Sequence, residues 1–288
     1  MSHDYAIGVD LGGTNIRAGL VKGTELVKYA SSKTPQGEDV EQEIIKSIIN
    51  TIADVFVEGV SGIGIGIPGL FDNKTGIIHS IVNIKSFTKV PIRDILSSHF
   101  EVPVFINNDV NCFALGEKHF GAGMGYNNMV GLSIGTGMGA GIISGGNLLS
   151  DANGGSGEFG EIPYLDSNFE NYCSGQFFIN KYNISGEQMF KKAKEGDANA
   201  IQVFKELGTH LGKVIKLIVL AFDPEIIVLG GSVAKSKEFF HDAMIEETKK
   251  NFSFQDSINR LQIKYSQEKN SPILGATKLI VRQSVSVI

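Results

Sequence analysis

Several short stretches of this chain combine residue types that can do chemistry. Asp10-Leu11-Gly12-Gly13-Thr14 sets a carboxylate, glycines and a hydroxyl in a row. Glycines tolerate positive φ and let another group approach the backbone. Successive N–H groups beside a hydroxyl can cradle a phosphate, and a carboxylate next to them can hold a metal ion's water shell. A plain hairpin also uses Gly-Gly, and this stretch alone leaves both readings open. Asn107-Asn108-Asp109-Val110-Asn111 gathers amides and a carboxylate. Such side chains pair with sugar hydroxyls. An ionised Asp109 at a helix N-terminus is favoured by the dipole and can accept a hydroxyl proton during phosphoryl transfer. The same residues are also preferred N-caps for purely structural reasons. Glu158, Glu161 and Glu170 lie in a loop with few basic neighbours, where exposed acids are the ordinary outcome. Gly230-Gly231-Ser232 follows an apolar run and would let a flat base or ribose reach the backbone, or form a simple loop before a helix.

The elements that must position these groups follow from periodicity. Ile7, Val9 and Leu11 alternate toward the first turn, and Ile16, Ala18 and Leu20 alternate away from it: strand, tight turn, strand. Residues 129–143 repeat this grammar, with Gly131 matching Gly8 and Gly135 matching Gly12. Residues 25–31 read as a third strand. A helix follows on the stripe Ile44, Ile45, Ile48, Ile49, Ile52 and Phe56, with Asp39 as its candidate cap. Gly62-Ile63-Gly64-Ile65-Gly66-Ile67 reads as a buried strand with another backbone packed against it, ending in a turn at Pro68-Gly69. Residues 76–78 are expected as a short strand, 91–100 as a helix and 104–106 as a buried strand, and then a helix stopped by Gly121. Further on, Ser185 and Gln188 fit a capping box. Helices are expected at 200–222, 236–250 and 271–281, the last with Pro272 in its first turn, and strands at 225–229 and 261–265.

Two strand–Gly turn–strand units imply two related α/β domains around a central cleft, with opposed turns gripping a polyphosphate. This pattern resembles the actin-like ATPase (ribonuclease H-like) fold that sugar kinases share with actin and the heat-shock chaperones. A smaller domain of residues 1–107 plus 277–288 and a larger one of 108–276 are expected. The chain's 288 residues suit two domains. A net charge of −5 without a Lys/Arg block argues against nucleic acid as the main partner. Cys112 and Cys173 are too few for a disulfide framework or a cysteine-rich metal site. No signal peptide opens the chain, and the apolar run at 214–222 is far short of the ~20 residues a bilayer needs. A cytoplasmic protein without a membrane partner is therefore expected. The histidines at 3, 79, 99, 119, 210 and 241 show no metal-binding spacing and read as structural.

The ordered set Asp10–Arg17, Gly66-Ile67-Pro68-Gly69, Asn108–Asn111, Ile134–Gly139, Gly157-Glu158-Phe159-Gly160 and Leu229–Ser232 resembles the ROK family (repressors, open reading frames, kinases) over nearly the whole chain. The resemblance implies a glucokinase-like enzyme that moves the γ-phosphoryl of ATP to a hexose 6-hydroxyl. It implies Asp109 as catalytic base, with Gly69, Asn108, Glu158, Glu161 and Glu170 at the sugar. It implies Gly12, Gly13, Thr14, Thr136, Gly137, Gly230 and Gly231 at the nucleotide, Asp10 holding Mg²⁺ through water, and a homodimer.

Two departures shape the expectation. The family usually has a His where this chain has Glu161, and that His touches the sugar and ligates a structural zinc. The family's three zinc-loop cysteines are also missing between Glu161 and Glu170, and Cys173 lies outside the motif. No zinc is therefore expected, with Phe159, Tyr164, Phe169 and Tyr172 as candidates to hold the loop. The site near sugar carbons 1 and 2 should be altered. The family's repressors carry an N-terminal helix-turn-helix, for which this chain has no room. The acceptor could instead be an N-acetylated hexosamine, fructose or a glucoside. The donor could be polyphosphate, or the chain could be a non-catalytic sugar-binding regulator.

Overall fold

A computed structural model describes residues 5–71, 77–81, 89–150 and 155–283. The chain forms two compact units. The first comprises Met1–Met124, Leu148–Ser156 and Gln267–Ile288, and the second Gly125–Asn147 and Gly157–Ser266.

In the first unit, β1 (Tyr5–Leu11), β2 (Asn15–Lys22) and β3 (Glu25–Lys33) form an antiparallel meander. β4 (Val60–Ile67) joins β1 in parallel, giving the order β3-β2-β1-β4-β7 with β7 at Val104–Asn108. A small hairpin of β5 (Gly69–Phe71) and β6 (Ile78–Ile81) stands apart. The strand expected at 76–78 starts at Ile78, and Gly76 lies outside the described residues. Helix α1 (Glu41–Ala53) buries Ile44, Ile45, Ile48 and Ile52, as its stripe requires. Asp39 does not cap it: Val40 takes the cap position, and Asp39 adopts a left-handed φ of 55° in the preceding turn. Helix α2 (Ile92–Phe100) opens after Pro91. Helix α3 (Asp109–Phe120) ends at Gly121, whose φ of −121° is not left-handed. Glycine is needed there for room, since a Cβ would lie 2.2 Å from Glu117 Oε2.

The backbone that packs on the Gly-Ile repeat is that of α10 (Ser271–Gln283). A Cβ at Gly64 would stand 1.8 Å from the Ala276 carbonyl oxygen, and one at Gly8 would stand 1.9 Å from that of Ile273. On its other side α10 meets α3 just as closely, since a Cβ at Gly116 would lie 1.9 Å from Ser271 O. This seam explains why residues 108–124 group with the first unit. A fully buried carboxylate locks it: Glu117 accepts from the Ser271 hydroxyl through Oε1 and from Ala122 N–H at 3.0 Å through Oε2.

The second unit repeats the plan. β8 (Met129–Ile134) and β9 (Met138–Ser144) are antiparallel, and β13 (Ile226–Gly230) and β14 (Gln262–Tyr265) add in parallel. With β10 (Asn147–Leu148) the order is β10-β9-β8-β13-β14. The central pairs correspond, with Gly8 opposite Gly19 and Gly131 opposite Gly141, the second hairpin being one residue shorter around its turn. A short hairpin of β11 (Pro163–Tyr164) and β12 (Ser167–Asn168) leads into α4 (Phe169–Cys173) and α5 (Gly175–Tyr182). Helix α6 (Gly186–Lys194) opens with the expected capping box of Ser185 and Gln188. Helix α7 (Ala198–Phe222) starts two residues before the expected 200, because the Asp197 side chain accepts from the N–H groups of Asn199 and Ala200. It buries Phe204, Leu207, Leu211, Val214, Ile215 and Ile218. Helix α8 (Lys237–Lys249) packs on it across Gly208, and α9 (Gln255–Arg260) completes the unit. Among the described residues, no helix is long and apolar enough to cross a membrane.

Candidate functional site

In the first unit the site residues collect at one edge of the sheet. Asp10, Gly66 and Asn107 are lateral partners across β1, β4 and β7, so Asp10 and the start of α3 stand at the carboxyl ends of neighbouring strands. Gly66 permits this, because a Cβ there would come within 3.3 Å of Asp109 Cα. Gly69, at φ 140°, needs a backbone that only glycine adopts without strain. The capping role that the sequence left open falls to Asn108: its Oδ1 accepts from Val110 N–H at 2.9 Å, and Asp109 Oδ1 shares that N–H at 2.9 Å. Asn107 Oδ1 accepts from Asn108 N–H and from Asn111 Nδ2. Asp109 is thus the first residue of α3, half-buried at the positive end of its dipole.

Gly12 and Gly13 do not use positive φ. What matters is how their carbonyls are held. Thr34 Oγ1 donates to Gly12 O at 2.7 Å, Gln36 Nε2 donates to Gly13 O at 2.8 Å, and Thr34 N–H donates to Thr14 O at 3.0 Å. In a trans peptide the N–H points opposite to the carbonyl. Tying the carbonyls of Gly12 and Gly13 therefore turns the N–H groups of Gly13 and Thr14 the other way. Asp10 is 4 % exposed and paired with Arg17, its cross-strand neighbour. Burial raises the Asp10 carboxyl above its ordinary range, and the Arg17 guanidinium opposes that rise. A buried carboxylate oxygen beside a hydroxyl suits a hard cation such as Mg²⁺, and the neighbouring N–H groups suit the phosphate it would accompany. Arg17 stands in the sequence motif without a role. Counting back from the Leu11–Ile16 pair around the turn places it opposite Asp10.

The second unit uses the same device. Gly175 N–H donates to Gly135 O at 2.8 Å, and the Ser174 hydroxyl donates to Thr136 O at 2.9 Å, which turns the N–H groups of Thr136 and Gly137 outward. Gly231, at φ 85°, lies so close to Ile134 that a Cβ would stand 2.2 Å from its carbonyl oxygen, so Gly230 and Gly231 abut this turn. Glu170 Oε2 accepts from Met138 N–H at 3.0 Å, which makes Glu170 a support of the turn as well as a candidate sugar contact. Gly157 pairs with Ala140 along β9 and carries Glu158 and Glu161 back toward Glu170. Burial first, and then the charges of Glu161 and Glu170, push the Glu158 carboxyl up from its ordinary range. Glu161 itself is exposed.

The loop that carries them is held by aromatic packing. Tyr164 stacks on Phe169 with centroids 4.1 Å apart, meets Tyr172 edge-on at 5.3 Å, and shares a 2.9 Å hydrogen bond between its hydroxyl and His210 Nδ1. Phe159, the fourth candidate, instead meets Phe222. Among the described residues, no group of His, Cys, Asp and Glu is arranged to hold a metal ion directly. Burial lowers the His210 pKa, the nearby Glu206 pulls it up, and Lys213 and Lys181 push it down, with a net decrease. The folded state therefore prefers neutral imidazole, while the unfolded chain takes up a proton near pH ~6.5. Stability contributed by this cluster should be whole above that pH and lost as pH falls below it. Melting curves from pH 5 to 8 should show a shallower acid decline for His210→Gln than for the wild type, and parallel declines would reject the assignment.

Two sheets of one topology, each with an amide-presenting turn at its central hairpin, define an actin-like ATPase fold. The ROK family profile matches residues 6–283. A glucokinase of Thermotoga maritima is 28 % identical over 276 residues, covering 84 % of this chain and 86 % of its own. A xylose repressor of Caldicellulosiruptor bescii is 28 % identical, covering 97 % of this chain and 79 % of its own. The crystal structure of a ROK glucokinase from Streptomyces griseus with glucose and AMPPNP superposes with a TM-score of 0.81 at 27 % identity, covering 96 % of this chain and 99 % of that one. The chain belongs to the ROK family.

Proposed function

We propose that this protein is a kinase that transfers the γ-phosphoryl of Mg²⁺-ATP to the 6-hydroxyl of a hexose, with glucose as the acceptor. The observation that carries this reading is Asp109 at the first turn of α3, next to Asn108 and at the same sheet edge as the Asp10 turn. A regulator needs to bind sugar but has no use for a carboxylate base and two amide-presenting turns. In this reading Asp109 accepts the hydroxyl proton. Gly69, Asn108, Glu158, Glu161 and Glu170 contact the sugar. Gly12, Gly13, Thr14, Thr136, Gly137, Gly230 and Gly231 contact the nucleotide. Bound Mg²⁺ would neutralise phosphate charge, and Asp10 would hold it through water. The protein works in the cytoplasm as a homodimer. The repressor relative supports a second reading, a sugar-binding regulator without turnover.

ADP release separates the two. Sugar-stimulated release supports the kinase, release independent of sugar would point to a simple ATPase, and no release would favour the regulator. The same assay on glucose, mannose, fructose, glucosamine and N-acetylhexosamines should show Glu161→Ala changing kcat/KM unequally. An ionised Glu only accepts, so a sugar group that also only accepts leaves it unpaired, at a cost of ~1–3 kcal/mol or roughly ten- to a hundred-fold in selectivity. Equal scaling of all sugars would remove Glu161 from substrate reading.

The aromatic cluster also carries an expectation about metal. Structural zinc takes Cys and His ligands in a closed tetrahedron, and residues 161–170 contain neither type. Elemental analysis of chelator-washed protein should find zinc well below one equivalent, with an unchanged melting temperature. Stoichiometric zinc would refute this.

A further inference from the structure

Asp10 and Arg17 are an unequal pair. The carboxylate is buried on β1, at 4 % exposure, and its Oδ2 accepts from Arg17 Nη2. The Arg17 side chain, on β2, is 38 % exposed and has a path to solvent. The two residues face each other one residue pair from the Gly12–Thr14 turn. A buried carboxylate without a counter-charge is strongly disfavoured. Arginine is always charged and cannot leave by losing a proton. A cation that is to be held at Oδ2 must take the place that Arg17 holds.

We propose that Arg17 is the resident counter-ion of the Asp10 site, occupying the carboxylate in the free protein and yielding it when hydrated Mg²⁺ arrives with the nucleotide. This rests on the reading of Asp10 as the group that holds Mg²⁺ through water. Arg17 acts through Asp10 and is a positioning residue. It stabilises the free protein and at the same time competes with the metal. The two effects have opposite signs: removing the guanidinium should weaken the free fold while strengthening Mg²⁺ binding. A residue that only supports the fold would, on removal, weaken both.

The test compares wild type with Arg17→Met, Arg17→Gln and Arg17→Lys, with two readouts that need no turnover. One is the melting temperature of the free protein without Mg²⁺. The other is the Mg²⁺ concentration at half-maximal effect on binding of a non-hydrolysable ATP analogue, followed by calorimetry at saturating analogue. The Met and Gln variants should melt lower than wild type. Their Mg²⁺ midpoint should fall roughly three- to tenfold, as expected if the guanidinium occupies the carboxylate most of the time. Arg17→Lys should return both values toward wild type. An unchanged or higher midpoint in Met and Gln overturns the proposal, and so does an unchanged free-state melting temperature. Asp10→Asn tells the two layers apart. It should raise the Mg²⁺ midpoint, and Arg17→Met added to it should then change the midpoint no further. If Asp10→Asn leaves the midpoint unchanged, the Mg²⁺ reading of Asp10 falls and the counter-ion role falls with it. If Asp10→Asn raises it but the Arg17 variants do not lower it, only the counter-ion role falls.

Discussion

Asp109→Asn should bind sugar and ATP nearly as well as wild type and transfer the phosphoryl group about 10²–10⁴-fold more slowly, the usual cost of losing a general base. The geometry makes this a clean substitution. The amide is nearly isosteric, and the N–H of Val110 that Asp109 shares keeps its bond to Asn108 Oδ1. The helix start therefore survives the change. What is lost is the ability to accept a proton at the end of β7, where the helix dipole favours a carboxylate in its charged form. Sugar affinity measured by calorimetry should be unchanged while kcat collapses. A kcat within a few-fold of wild type would remove Asp109 from the chemistry, and a collapse of sugar affinity with kcat retained would make it a binding residue instead.

Gly64→Ala should destabilise the protein by about 3 kcal/mol or more, at the upper end of what overpacking costs. The new Cβ would stand 1.8 Å from the Ala276 carbonyl oxygen and 2.6 Å from its carbon. Both are backbone atoms of α10, so no side chain can turn aside to make room. The helix must move off the sheet as a body, and its contact with α3 across Gly116 must open with it. Gly13→Ala is the matched control. Nothing lies within 4 Å of its added methyl and its φ is not positive, so stability should stay within about 0.5 kcal/mol. Its methyl would stand next to the Gly13 and Thr14 amides, so if the turn holds the nucleotide as proposed, binding of an ATP analogue should weaken. Thermal or denaturant unfolding of the two variants checks the first half and calorimetry the second. A Gly64→Ala protein as stable as wild type would mean that α10 is not seated as described.

Much of this was legible from residue order. Alternation in β1, β2 and β4, its repeat at β8 and the apolar run of β13 marked these strands close to their observed limits, because which face of a strand is buried is written in the period of its residues. The repeat of the Gly8 and Gly131 patterns announced two related sheets, since a glycine pair facing across two strands is a local feature. The capping box at Ser185 was visible because its partners are three residues apart. Asp39 failed as a cap for the converse reason: a polar residue before a helix can serve the turn rather than the helix, and the sequence does not carry φ.

What the tertiary structure alone decided are the partners that come from far along the chain. Periodicity showed that Gly62–Ile67 must accept a close backbone, but not that the backbone is α10, more than two hundred residues later. The glycines of the phosphate-type turns were visible, whereas the groups that orient their amides were not. Thr34 and Gln36 act on the first turn, and Ser174 and Gly175 on the second, from segments with no pattern linking them to it. Nothing in the residue order marks Glu117, whose partner Ser271 comes from α10. The aromatic residues 164, 169 and 172 were candidates, and His210 on α7 completed their cluster. The physical reason is the same throughout. Backbone geometry and local hydrogen bonds depend on neighbours within a few residues, and sequence spacing records them. Burial of a charge and the aim of an N–H depend on whichever distant atoms arrive, and only the folded chain fixes those.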